Sequence, residues 1–160
     1  MPIIKIQTLI NAPMEVCFDL SRSMEFHAHS TSHTNEKVIA GRTSGLIELN
    51  ETVTLEATHF FIRQRLISKI TAFDYPNHFR DEMVKGAFKS FQHNHFFQKQ
   101  NDQTLMIDVF EFQSPFGVIG KAFNFFILKK YMERFLRKRC EMIKKTAESD
   151  EWKLFIEDFR

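Results

Sequence analysis

The chain has 160 residues, of which 43% are hydrophobic and 26% charged, and a formal net charge of +2. That length fits one domain whose core needs no disulfides, and so small a charge argues against a nucleic-acid surface. No leader pattern and no apolar run of membrane-spanning length is present, so stable membrane insertion is not expected. Cys17 and Cys140 lie far apart without CxxC spacing and fit a reduced, cytoplasmic setting. Nineteen Phe against one Trp is more aromatic surface than a small core needs, which points to an apolar cavity.

Ile3–Ile10 reads as a strand broken by Asn11-Ala12-Pro13, and Val16, Cys17 and Leu20 then follow at helical spacing. Ser23 is placed to cap a second short helix that fades into a polar segment. His27, His29 and His33 fall there and read as solvated or capping residues. From residue 36 the pattern is β: a short strand over 36–41, then 51–60 with Val53, Leu55, Ala57 and His59 on one face. A third run over 62–73 puts Leu66, Ser68 and Ile70 on one side, and Tyr75-Pro76-Asn77 ends it.

Residues 79–84 and 88–98 pair through Lys85-Gly86-Ala87, and 104–112 follows the turn-forming Asn101-Asp102. In the second of these strands Phe91, His93, His95 and Phe97 share a face. Closing the hairpin at Asn101-Asp102 sets His95 opposite Asp108, His93 opposite Phe110 and Phe97 opposite Met106. Glu82 is a further candidate partner of His93, sensitive to a one-residue slip in the preceding turn.

Residues 118–147 read as one long helix. Its apolar stripe includes Met132, Phe135, Leu136, Cys140 and Ile143, and its first part, with Ile119, Phe123 and Phe126, is apolar nearly all round. The basic residues toward its end read as a solvated face. In the tail, Ser149 can cap a segment that puts Trp152, Phe155, Ile156 and Phe159 on one face, to dock on the body, a protein partner or a second copy.

This order resembles the α+β helix-grip fold of the START-like, Bet v 1-like superfamily (SRPBCC, polyketide cyclase/dehydrase-like), a curved antiparallel sheet around a long C-terminal helix. A bacterial subgroup sometimes labelled cell-division-inhibitor-like is similar in IKIQTLINAPMEVCFDLSRS, in the stretch from AGRTSGLIELNETVTLEATHFF to FQHNHFF, and in PFGVIGKAF. The subgroup often has Trp where this chain has Phe91, and a Gly-containing loop in place of Leu49-Asn50. The resemblance implies a helix-grip domain over residues 1–147, and the short amphipathic tail over 148–160 lies beyond it. It also implies a cavity between sheet and helix, with His59, Phe91, His93, His95, Phe97, Met106, Asp108, Phe110, Ile119, Phe123 and Phe126 as its ligand-contacting residues. The expected function is non-enzymatic binding of a small hydrophobic molecule, lipid or polyketide-like, without cofactor or metal. Two alternatives stay open: an acid–base enzyme using His95 and Asp108, and a regulatory module acting through the tail. His93-x-His95 with Asp108 also has the ligand types of a divalent-metal site, although the resemblance requires none.

Overall fold

The computed structural model describes residues 1–115, 117, 119, 122 and 124–156. Strand β1 (Ile3–Ile10) leads into helices α1 (Met14–Arg22) and α2 (Met24–Ser30). Six strands follow: β2 (Lys37–Gly41), β3 (Thr52–His59), β4 (Ile62–Asp74), β5 (His78–Lys85), β6 (Ser90–Gln100) and β7 (Gln103–Gln113). After a π-helical turn over Asn124–Leu128 comes α3 (Lys129–Ala147). The strands form one curved antiparallel sheet in the order β1-β7-β6-β5-β4-β3-β2, so α1 and α2 carry the chain from one edge to the other.

Alternation decides which face is buried. Along β6 and β7 every second residue is buried, and those residues, with Ile4 and Ile6 of β1, form the concave wall. In β4 the register with β5 shifts at Ile67/Ser68 and again at Ile70/Ala72. Such bulges bend a strand, and here they curl the sheet while keeping Leu66, Ser68 and Ile70 inward. Helix α3 packs on β1, α1 and α2, burying Met132, Leu136, Cys140 and Ile143.

One end of the concave face is filled by α1. Phe18, fully buried, touches the rings of Phe73, Tyr75, Phe79 and Phe97 at centroid distances of 5.0 to 5.4 Å. Ser23 caps α2 as its position predicts, accepting from the Phe26 backbone N–H at 3.2 Å. Ser149 caps a 3-10 turn, Asp150–Leu154, rather than a longer helix. Phe155 then lies edge-on to Phe26 at 5.2 Å, Ile156 is buried, and the Ser23 hydroxyl donates to the Phe155 carbonyl at 3.0 Å. Phe155 and Ile156, from the apolar face of the tail, thus pack against the chain's own body. Among the described residues no helix is long and apolar enough to cross a membrane.

The two-residue β3–β4 turn places both Phe60 (φ 51°) and Phe61 (φ 63°) in the left-handed region. Turns of that type favour Asn-Gly, because a side chain there costs about 1–2 kcal/mol per residue. Phe61 is fully solvent-exposed, so no packing repays its share. Phe61→Gly is therefore expected to raise the unfolding free energy by about 1 kcal/mol, read as a higher urea midpoint with unchanged slope.

Candidate functional site

Beyond the aromatic plug around Phe18, the described residues do not fill the space between sheet and α3. A cavity of about 550 Å³ remains. Its walls are mainly apolar: Leu55, Leu66 and Ile70 from the sheet face Met132, Phe135 and Leu136 of α3, with Phe88, Phe91 and Phe110 toward one side. Two groups of polar side chains interrupt them.

The first is carried by three adjacent strands. Register places Asp81 opposite His93 and His95 opposite Asp108, so each carboxylate faces one imidazole directly and the other diagonally. The diagonal contacts are hydrogen bonds: His93 Nε2 to Asp108 Oδ1 at 3.0 Å, and His95 Nε2 to Asp81 Oδ1 at 3.1 Å. His95 Nδ1 lies 2.8 Å from Asp108 Oδ1 but is poorly directed for a hydrogen bond, which makes this an ion-pair contact. The Cys140 thiol donates to Asp108 Oδ2 at 3.3 Å, and the Ser68 hydroxyl to Asp81 Oδ2 at 3.2 Å. The two imidazoles lie 3.9 Å apart, and Phe79 stacks on His95 at 4.2 Å.

Burial is the largest influence on all of these groups, and their partners decide the outcome. Burial would raise Asp108, but the hydrogen bond from His93 and the close contact with His95 hold it well below the usual carboxylate range. Asp81 is lowered in the same way, chiefly through His95. Burial pulls His95 down, yet its contacts with Asp108 and Asp81 bring it above the ordinary imidazole value. His93 ends below that value, through burial and then the charge of His95. Burial pushes Cys17 up to about 12 and, with the charge of Asp108, lifts Cys140 well above the thiol range. Neither thiol is poised as a nucleophile.

The second polar group gathers around α2, β3 and α3. His27 pairs with the nearly buried Glu36 side chain, and His59 Nδ1 lies 2.6 Å from the Tyr131 hydroxyl. Arg139, 6% exposed, donates from a terminal nitrogen to the Ser21 carbonyl at 2.8 Å, while its Nε has no hydrogen-bond partner among the described residues. His27, Glu36, His59, Tyr131 and Arg139 all line the cavity.

Glu36 and His59 make acid sensitivity a testable property. Burial raises Glu36, but the charge and hydrogen bond of His27 outweigh it and leave the carboxyl below its usual value. Burial lowers His59, which Glu36 only partly offsets. A depressed imidazole contributes stability that is complete above its unfolded value of ~6.5 and is lost as pH falls through its folded value. A depressed carboxyl behaves likewise below ~4.5. Urea midpoints are therefore expected to fall from about pH 6.5 downward, and His59→Phe should flatten the upper part of that slope.

Comparison with solved structures places the architecture. A protein of Thermus thermophilus superposes with a TM-score of 0.70 at 16% identity, covering 91% of this chain and 99% of its own. The major latex-like protein 151 of Panax ginseng gives 0.67 at 14% identity over 92% and 98% of the two chains. A Chromobacterium violaceum protein gives 0.71 at 10% identity over 92% and 98%. The fold is the START-like, Bet v 1-like helix grip. No family model and no curated protein matches the sequence.

Within the helix grip, the residues singled out from sequence separate into three groups. His59, Phe91, His93, His95 and Phe110 line the cavity, although His59 stands with Tyr131 rather than with the other histidines. Phe97, Met106 and Asp108 are buried beside the cavity without lining it: Phe97 packs on Phe18, the Ser21 hydroxyl contacts the Met106 sulfur at 3.8 Å, and Asp108 braces the imidazoles. Ile119 and Phe126 point outward, 82% and 71% exposed, and Phe123 lies outside the described residues. A segment apolar on nearly every side carries little periodic signal for its inward face, and Ile119 and Phe126 do not make the expected cavity contacts.

Glu82 is also corrected. It sits opposite Gln92, and Asp81 takes the place beside His93, because four residues rather than three separate β5 from β6. Asp81, Glu36, Tyr131 and Arg139 were not expected at the site from the sequence. Arg139 had a usable signal, since it falls on the buried helical stripe with Leu136, Cys140 and Ile143. On the tail face, Phe155 and Ile156 pack against the body, Trp152 is half-buried, and Phe159 lies outside the described residues.

Proposed function

We propose that this protein binds a small, mainly hydrophobic molecule in the cavity between sheet and α3, and does so without catalysis. The observation that carries the reading is the cavity itself: about 550 Å³ bounded by aliphatic and aromatic side chains in a chain with ample Phe to fill it. Ligand pockets commonly have this size and this mixture of apolar wall with a few converging polar groups. Phe60 and Ile62, both partly exposed, also line the cavity and give its rim an apolar character suited to admitting such a guest. A lipid-like or polyketide-like molecule fits this chemistry, its apolar body against Leu55, Leu66 and Leu136 and a polar end within reach of Arg139 or the histidines.

The acid–base alternative asks His95 to take a proton from a substrate. Both of its ring nitrogens already face carboxylate oxygens, at 2.8 and 3.1 Å. A base needs an available lone pair aimed at the substrate, which favours binding over turnover. Titration with an environment-sensitive apolar dye, followed by displacement with long-chain fatty acids and polycyclic aromatics, tests the reading. Saturable binding at one site, competed by at least one of these classes, is expected; absence of saturable dye uptake would reject it.

A further inference from the structure

The Asp81, His93, His95 and Asp108 cluster places all four ring nitrogens of its two imidazoles against carboxylate oxygens. His93 Nε2 and His95 Nδ1 face Asp108 at 3.0 and 2.8 Å, while His95 Nε2 and His93 Nδ1 face Asp81 at 3.1 and 3.9 Å. Carboxylates only accept, and two neutral imidazoles supply only two N–H groups between them. If both point at Asp108, two lone pairs are left directed at the Asp81 carboxylate.

We infer that Asp81, His93 and His95 form a binding site for a divalent transition-metal ion, with Asp108 as the shared partner that fixes both imidazoles. One doubly charged ion neutralises both carboxylates without charging either ring. The three ligand groups can present atoms within 4.8 Å of one another. Tetrahedral coordination with bonds of ~2.0–2.1 Å sets ligand atoms ~3.3 Å apart; the two imidazole–Asp81 distances are 3.1 and 3.9 Å, and side-chain rotation must draw the whole set in from within 4.8 Å. Metal-bound imidazoles usually donate their second N–H to a carboxylate, and Asp108 stands in that position for His93 and lies 2.8 Å from Nδ1 of His95. The Ser68 hydroxyl holds the second oxygen of Asp81, and Phe79 stacks on His95, so the ligand groups are already oriented. Two nitrogens and one oxygen suit Zn²⁺, Co²⁺, Ni²⁺ or Fe²⁺ better than Mg²⁺ or Ca²⁺. All three residues line the cavity, which leaves a coordination position for water or an oxygen atom of a guest.

The test uses untagged protein stripped with a chelator, titrated calorimetrically with Zn²⁺ at pH 7.5 and spectroscopically with Co²⁺. One equivalent of Zn²⁺ is expected to bind, and Co²⁺ should give visible d–d bands. Asp81→Asn and His93→Gln should each weaken binding at least 100-fold, and Asp108→Asn by about 10- to 100-fold. His29→Gln, outside the cluster, should bind as the parent does. If His93→Gln does not fold, Asp81→Asn decides, because its side chain is already 20% exposed and tolerates the change best. Absence of stoichiometric binding by the parent, or full binding by Asp81→Asn, overturns the inference. The apolar-dye titration is scored without metal, so failure of the metal site and failure of the cavity reading are told apart.

Discussion

Asp108→Ala is expected to lower the unfolding free energy by about 3–5 kcal/mol, the cost of removing one partner from a buried ionic group. Asp108 is 2% exposed and faces His93, His95 and Cys140 at 3.0, 2.8 and 3.3 Å. Without its carboxylate the imidazoles lose the acceptor between them, and the positive charge favoured on His95 is left with Asp81 alone. The measurement is urea unfolding of metal-free protein at pH 7.5. Replacing Asp81, His93, His95 and Asp108 together by apolar residues of similar volume should cost far less, and can even stabilise, because the desolvation penalty disappears with the charges. That contrast would mark the cluster as kept for binding rather than for stability. A loss below about 1 kcal/mol in Asp108→Ala would place the cluster among weakly coupled surface-like pairs, contrary to the structure described.

Leu66→Trp should abolish apolar-guest binding, by 100-fold or more, while leaving stability unchanged or raised. Leu66 stands opposite Leu55 across β3 and β4, and both line the cavity. An indole at that position projects into unfilled space. In a close-packed interior the same enlargement forces side chains off their rotamers and costs about 1–3 kcal/mol. The variant therefore reads two things separately. Its urea midpoint reports whether the space is empty, and its dye titration reports whether that space is where the guest goes.

Much of the frame was legible in the sequence, and the reasons are local. The β6–β7 register follows from the turn at Asn101-Asp102, where Asn101 adopts φ 55°, and it pairs His95 with Asp108, His93 with Phe110 and Phe97 with Met106 as expected. Alternation on β3 and β4 placed Leu55, Leu66, Ser68 and Ile70 on the inner wall. Tertiary geometry decided what remained. The length of the β5–β6 loop brought Asp81 to the histidines in place of Glu82, and two register shifts in β4 bend the sheet; neither has a signature in residue order. A segment apolar nearly all round gave no hint that Ile119 and Phe126 face outward, or that a π-helical turn over Asn124–Leu128 precedes α3. Arg139 and Glu36 are buried charges, and composition alone assigns such residues to the surface.

The central claim is that the space between sheet and α3 holds a small apolar molecule. Native mass spectrometry of the untagged protein tests it most directly, recorded as purified and after incubation with fatty acids and polycyclic aromatics, beside Leu66→Trp. A one-to-one adduct on the parent chain, absent from Leu66→Trp and recoverable by organic extraction, is the predicted result. The bare polypeptide mass under every condition, or equal adducts on both proteins, would contradict it.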